Sequence, residues 1–170
     1  IVYDNSKGAI LGNTITGAGA TSDETVNGIM ITDSDTSSRE TVNISRNTIT
    51  GFGEGIDVVD AQKVNITQNF INGNHEGVSL GKNADGSIVK IFENDLSGNT
   101  TFGVENRSGE IVNASFNWWG STDEATVVAY INPENGGVDI SPYLGNGTDT
   151  DASTRGFQAD FSSLYVTDEG

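Results

Sequence analysis

Apolar and polar residues alternate in short runs along the first two thirds of the chain: Val42 and Ile44 against Asn43 and Ser45, Val64 and Ile66 against Asn65 and Thr67. A period of two puts successive side chains on opposite faces of an extended backbone, so these runs predict half-buried strands and not helices. The runs recur in a fixed frame around an asparagine, at Asn13, Asn47, Asn69, Asn94 and Asn117. Five residues before each stand Gly8, Val42, Val64, Val89 and Val112; three before stand Ile10, Ile44, Ile66, Ile91 and Ala114. Two after come Ile15, Ile49, Ile71, Leu96 and Trp119, and Gly17, Gly51, Gly73 and Gly98 lie four after the first four. The asparagines are 34, 22, 25 and 23 residues apart. A period in this range marks stacked supersecondary units.

Each unit holds a second apolar run opened by a glycine: Gly28-Ile29-Met30-Ile31, Gly55-Ile56-Asp57-Val58, Gly77-Val78-Ser79-Leu80 and Gly103-Val104-Glu105. A third, very short strand carries the Ile15/Ile49/Ile71/Leu96 column. Three short strands in roughly 22 residues make one rung of a coil. Rungs stacked about 4.8 Å apart pair their strands in parallel and turn the repeated apolar positions into inner ladders. The asparagine falls where the chain turns between strands. Asn tolerates left-handed backbone, and its amide can satisfy turn groups that would otherwise be buried unpaired. A helical solenoid is excluded by 22 glycines and the lack of a sustained 3.6-residue pattern. A sandwich needs hairpin signals, and only scattered ones such as Asn27-Gly28 exist.

The rung G-I-x-V … V-x-I-x-x-N-x-I-x-G resembles the right-handed parallel β-helix repeats of the pectate-lyase-like superfamily, over about residues 1–120. The expected fold class is therefore all-β, a right-handed parallel β-helix of about five rungs with an irregular C-terminal closing segment. The resemblance implies a fold and not an activity, because that fold carries lyases, glycosidases, epimerases, tailspikes, adhesins and surface-layer proteins.

Residues 1–120 read as rungs, 121–145 as the closing segment, and 146–170 as an Asp/Gly/Thr-rich linker and the start of a following module. Ile1-Val2-Tyr3 already reads as strand with no capping helix before it, which predicts further coils or a cap upstream. Trp119 takes the last place in the isoleucine column. The segments Asn117-Trp118-Trp119-Gly120 and Val138 to Leu144 resemble the closing segment of β-helix modules in very large secreted bacterial proteins. Phe157 to Val166 reads as the beginning of another module, with a strand returning to this coil as the alternative.

A net charge of −16, from 24 acidic against 8 basic residues, repels nucleic acid and anionic lipid. It also disfavours polyanionic substrates. No apolar stretch is long enough to span a membrane, and with no cysteine neither disulfides nor thiolate metal sites can form.

Candidate chemistry lies on the outward column of the glycine-led strand, Met30, Asp57, Ser79 and Glu105. Asp57 and Glu105 stand two rungs apart, about 9.6 Å by ladder spacing, near the upper limit for an inverting glycosidase pair. His75, in the turn before Val78, is the third candidate. No cationic ladder accompanies them, so acidic-sugar elimination is disfavoured. Solvated surface carboxylates are the simpler account of Asp57 and Glu105. Hard oxygen ligands cluster at Asn146, Asp149 and Asp151, and again at Asp33 and Asp35, in a manner suited to calcium.

The sequence thus predicts a non-catalytic, stiff, acidic module of a large extracellular or cell-surface protein, with a structural or adhesive role and calcium as the candidate cofactor. Expected partners are neighbouring modules of the same chain, end-to-end copies and glycans. The alternative is a polysaccharide hydrolase or lyase, or a glycan-binding domain, using the outward column.

Overall fold

The computed structural model describes residues 1–4, 7–32, 41–60 and 63–167. The candidate ligands Asp33 and Asp35 lie outside the described residues. The chain winds into a parallel β-solenoid of about five turns. One six-stranded sheet stacks Val2–Asp4, Asn27–Thr32, Glu54–Asp60, Glu76–Asn83, Phe102–Asn106 and Ile131–Asn132, all parallel. A second stacks Gly8–Leu11, Thr41–Ser45, Lys63–Thr67, Val89–Phe92, Val112–Asn113 and Val138–Asp139, again all parallel. The third, Thr14–Thr16, Thr48–Thr50 and Phe70–Ile71, continues through single bridges at Asp95 and Trp118. Corresponding residues of the repeat fall in register, Val42 beside Val64 and Ile44 beside Ile66, so the inner ladders are continuous. Their side chains have no exposure to solvent.

The asparagine column works through its amides. Asn69 Nδ2 lies within bonding distance of Ile44 O at 2.9 Å, Thr67 O at 2.9 Å and Asn94 Oδ1 at 2.9 Å. Its Oδ1 accepts from Asn47 N at 2.9 Å and Asn47 Nδ2 at 3.0 Å. The same pattern joins Asn13 to Asn47 and Asn94 to Asn117. One part of the expectation is corrected. The left-handed residue of the turn is not the asparagine but the one before it: Gly12, Arg46, Gln68, Glu93 and Phe116, with φ of 67°, 57°, 57°, 56° and 58°. A second, shorter amide column, Asn74 and Asn99, holds the next corner: Asn74 Nδ2 donates to Ile49 O at 3.1 Å, and Asn99 Nδ2 to Ile71 O at 2.9 Å.

Trp119 closes the isoleucine column, almost fully buried against Gly103. The segment after it departs from the all-β pattern in one place, the helix Glu124–Ala129. Asp123 caps it, accepting from Thr126 N, and its buried face is Val127. Six residues are too short for a helical period to show in sequence. Beyond Leu144 the described chain turns back onto the coil. Leu164–Tyr165 pairs antiparallel with Tyr143–Leu144, fully buried Phe157 meets Phe70 edge-on at 5.5 Å, and Phe157 N donates to Gln68 O at 2.9 Å. Phe161, Leu164, Tyr165 and Val166 of the same run stay exposed.

Candidate functional site

The outward column of the first sheet falls in the expected register: Met30 beside Asp57, Asp57 beside Ser79, Ser79 beside Glu105, then Asn132. Two further carboxylates join it. Glu54 and Glu76 pair across neighbouring rungs one row earlier, and they reach the outer side because strict alternation fails at this corner. A Cβ on Gly55 would lie 2.9 Å from Ile71 Cγ2 and 2.7 Å from Gly77 O. Gly55 therefore faces inward together with buried Ile56, leaving Glu54 and Asp57 both outward. Glycine is required there, as at Gly77, where a Cβ would stand 2.5 Å from Gly103 O.

Arg107 ties four rungs together. Its Nη2 lies 3.0 Å from Glu54 Oε1 and 2.8 Å from Glu105 Oε2, and donates to Ser79 Oγ at 2.7 Å. Its Nη1 lies 3.1 Å from Glu24 Oε2. Asn27 Nδ2 donates to Asp57 Oδ2 at 3.0 Å, and Asn132 Nδ2 to Glu105 Oε1 at 2.8 Å. Glu54, Glu76 and Glu105 are 2%, 3% and 6% exposed, so Glu105 is a buried carboxyl where a solvated one was the simpler expectation, while Asp57 is half-buried.

Burial shapes their titration. It pushes Glu54 up to about 8, reinforced by the Asp57 charge and opposed by Ser79 and Arg107. It pushes Glu76 up to about 7, reinforced by Glu105 and Glu24. Asp57 rises to about 6 for the same first reason, opposed by Arg107 and by hydrogen bonds from Glu54 and Asn27. Glu105 Oε2 is close to Arg107 but not in hydrogen-bond geometry, and Glu76 Oε2 likewise lacks a donor. Two carboxyls raised by burial thus stand beside others of the same face, Glu54 by Asp57 and Glu76 by Glu105. Arg107, with 21% of its side chain exposed, covers them.

His75 does not join this centre. Its Nδ1 lies 3.1 Å from Thr100 Oγ1 and 3.0 Å from Thr101 Oγ1. Glu54, Glu76 and Arg107 escaped the sequence reading. The first two had a signal, a glutamate before the glycine of two successive rungs. Arg107 had none, since its partner Glu24 is 83 residues away.

The three candidate metal ligands near the C-terminus each serve their own turn. Asn146 Oδ1 accepts from Thr148 N at 2.9 Å, Asp149 Oδ1 from Gln158 N at 3.1 Å, and Asp151 from Ser153 N at 3.1 Å. Among the described residues no group of three or more His, Cys, Asp or Glu is placed to hold a metal ion. No helix among them is long and apolar enough to cross a membrane.

The family profile described as NosD, periplasmic copper-binding protein, matches residues 1–137. No curated protein and no solved structure matches the chain. The expectation of calcium is corrected on this ground: the metal attached to the family is copper. The residues present do not fit a copper centre either. Copper sites draw on thiolate, thioether and imidazole donors, and the chain has no cysteine, one methionine and one histidine, the last bonded to two threonines. The family's description places the chain broadly in the cell envelope or outside the cell. With four fifths of its length under that profile and a parallel solenoid beneath it, the chain belongs to the NosD family.

Proposed function

We propose that the chain is a non-catalytic, stiff spacer module of a secreted or envelope-exposed protein, with a structural or adhesive role at the cell surface. The observation that carries this reading is the unbroken asparagine column, which links every rung by side-chain hydrogen bonds. Buried amides satisfied on both sides stiffen a solenoid along its axis. Neighbouring modules, copies of the chain stacked end to end, and glycans are the partners such a rod would meet. Incubation with a panel of neutral and acidic polysaccharides tests the reading. It expects no product, whereas reducing ends released by the wild type and lost in Asp57→Asn or Glu105→Gln would overturn it.

One observation favours a second reading, hydrolysis of a neutral polysaccharide. Carboxyls raised to about 8 and about 7 sit beside Asp57 and Glu105 on one face, the acid and base functions that glycoside cleavage needs. Against it, Arg107 lies across the pairs. The same panel with Glu54→Gln and Glu76→Gln decides between the two.

A further inference from the structure

The returning C-terminal segment and the coil together form an open polar cavity of about 280 Å³, lined by Arg46, Arg155, Asp149, Thr14, Thr48 and Phe70 among others. It shares no residue with the carboxyl centre. Gly156 makes the close approach possible: at φ 81° it brings the segment against Arg46 Cα and Gln68 O, where a Cβ would stand 2.4 and 2.3 Å away.

Two of the chain's 8 basic residues meet here, in a protein carrying 24 acidic ones. Neither arginine has an ion-pair partner among the described residues. Arg46 spends only Nε, on Gln68 Oε1 at 3.0 Å, and Arg155 only Nη1, on Gly12 O. The remaining guanidinium donors are uncommitted. Asp149 contributes one negative charge to the wall, so two cations and one anion leave the cavity with one positive charge to balance. The Thr14 and Thr48 hydroxyls make no hydrogen bond among the described residues, and Phe70 offers an apolar wall.

We propose that this cavity binds a small hydroxylated monocarboxylate of the sugar-acid class. A guanidinium takes the carboxylate in a forked pair of hydrogen bonds. The threonine hydroxyls and the free Asp149 oxygen exchange hydrogen bonds with the ligand's hydroxyls. A dianion would exceed the local charge, and a neutral sugar would leave it unbalanced.

The test is a titration of the whole chain with sodium gluconate, followed by backbone and arginine side-chain amide NMR against sodium chloride of equal ionic strength. Glucose and inorganic phosphate are titrated in parallel. Saturable shifts at residues 14, 46, 48 and 149–156 are expected. Arg46→Gln should weaken binding about tenfold or more. Glutamine already occupies the same left-handed corner one rung on, at Gln68, so this variant keeps the backbone. Arg155→Gln should weaken binding similarly. Absent or non-saturating shifts would overturn the proposal. So would glucose or phosphate binding as tightly as gluconate, or unchanged affinity in Arg46→Gln.

Discussion

The asparagine column and the carboxyl centre are both stacks of polar side chains buried on the same coil, and they solve the problem of burial in opposite ways. An amide is donor and acceptor at once. Identical amides at ladder spacing therefore bond one another, Asn47 to Asn69 to Asn94 to Asn117, and spend the rest of their donor capacity on backbone carbonyls of the coil. An ionised carboxylate is acceptor only. Carboxylates at the same spacing repel, and they are tolerated only with a cation drawn across four rungs and with protons retained at neutral pH. The solenoid thus makes repetition cheap for neutral bifunctional groups and costly for charged ones. Such a cluster on an otherwise self-satisfied scaffold is the position at which the hydrolase reading is to be tested.

The contrast can be broken most severely at its neutral end. Asn69→Asp converts a satisfied amide into a buried, donor-less charge, and about 4 kcal/mol or more of stability should be lost at pH 7, measured by urea unfolding. Asn69→Ala should cost about 3 kcal/mol, because Ile44 O and Asn47 N lose partners that water cannot replace. A loss under about 1 kcal/mol would show that the amides do not carry the coil.

At the charged end, Arg107→Gln leaves the acids without their cation and should cost about 3 kcal/mol at pH 8. The cost should shrink at pH 5, where Glu54 and Glu76 are protonated. An equal loss at both pH values would mean that Arg107 acts by packing alone.

The carboxyl centre also predicts a pH profile. Glu54, Glu76 and Asp57 rise from ordinary values of 4.5, 4.5 and 3.8 to about 8, about 7 and about 6. Between these limits the folded chain binds more protons than the unfolded one, so stability falls as pH rises. The melting temperature should be highest near pH 4 to 5 and decline towards pH 8. Glu76→Gln removes part of the slope and should raise the pH 8 midpoint by about 2–4 °C for each kcal/mol relieved. Asp57→Asn, at a half-buried position, should do the same more weakly. A flat profile in the wild type would contradict the raised pKa values of the buried carboxyls.

Most of the fold was legible. The asparagine spacings became the sequence separations of the bonded pairs without a shift, because in a parallel stack the repeat length is itself the register. The site was legible only by half. The column Met30, Asp57, Ser79 and Glu105 follows from period-two alternation. Glu54 and Glu76 do not, since two successive inward residues at the corner reverse the count. Arg107 reaches its partners through three dimensions, and no local pattern encodes that. The return of the C-terminal segment stood only as an alternative in the sequence, because a run rich in Gly, Asp and Thr carries no local sign that Phe157 will meet Phe70.

The left-handed turn before each asparagine after Asn13 is occupied in successive rungs by arginine, glutamine, glutamate and phenylalanine. Each carries a conformational penalty of order 1 kcal/mol, borne alike by a cation, an amide, an anion and an aromatic ring. The corner is therefore indifferent to chemistry while strict in shape. Along that edge the backbone stays constant while the side chains change, and adjacent corners touch, Arg46 Nε donating to Gln68 Oε1 at 3.0 Å, so a change at one corner is felt by the side chain of the next.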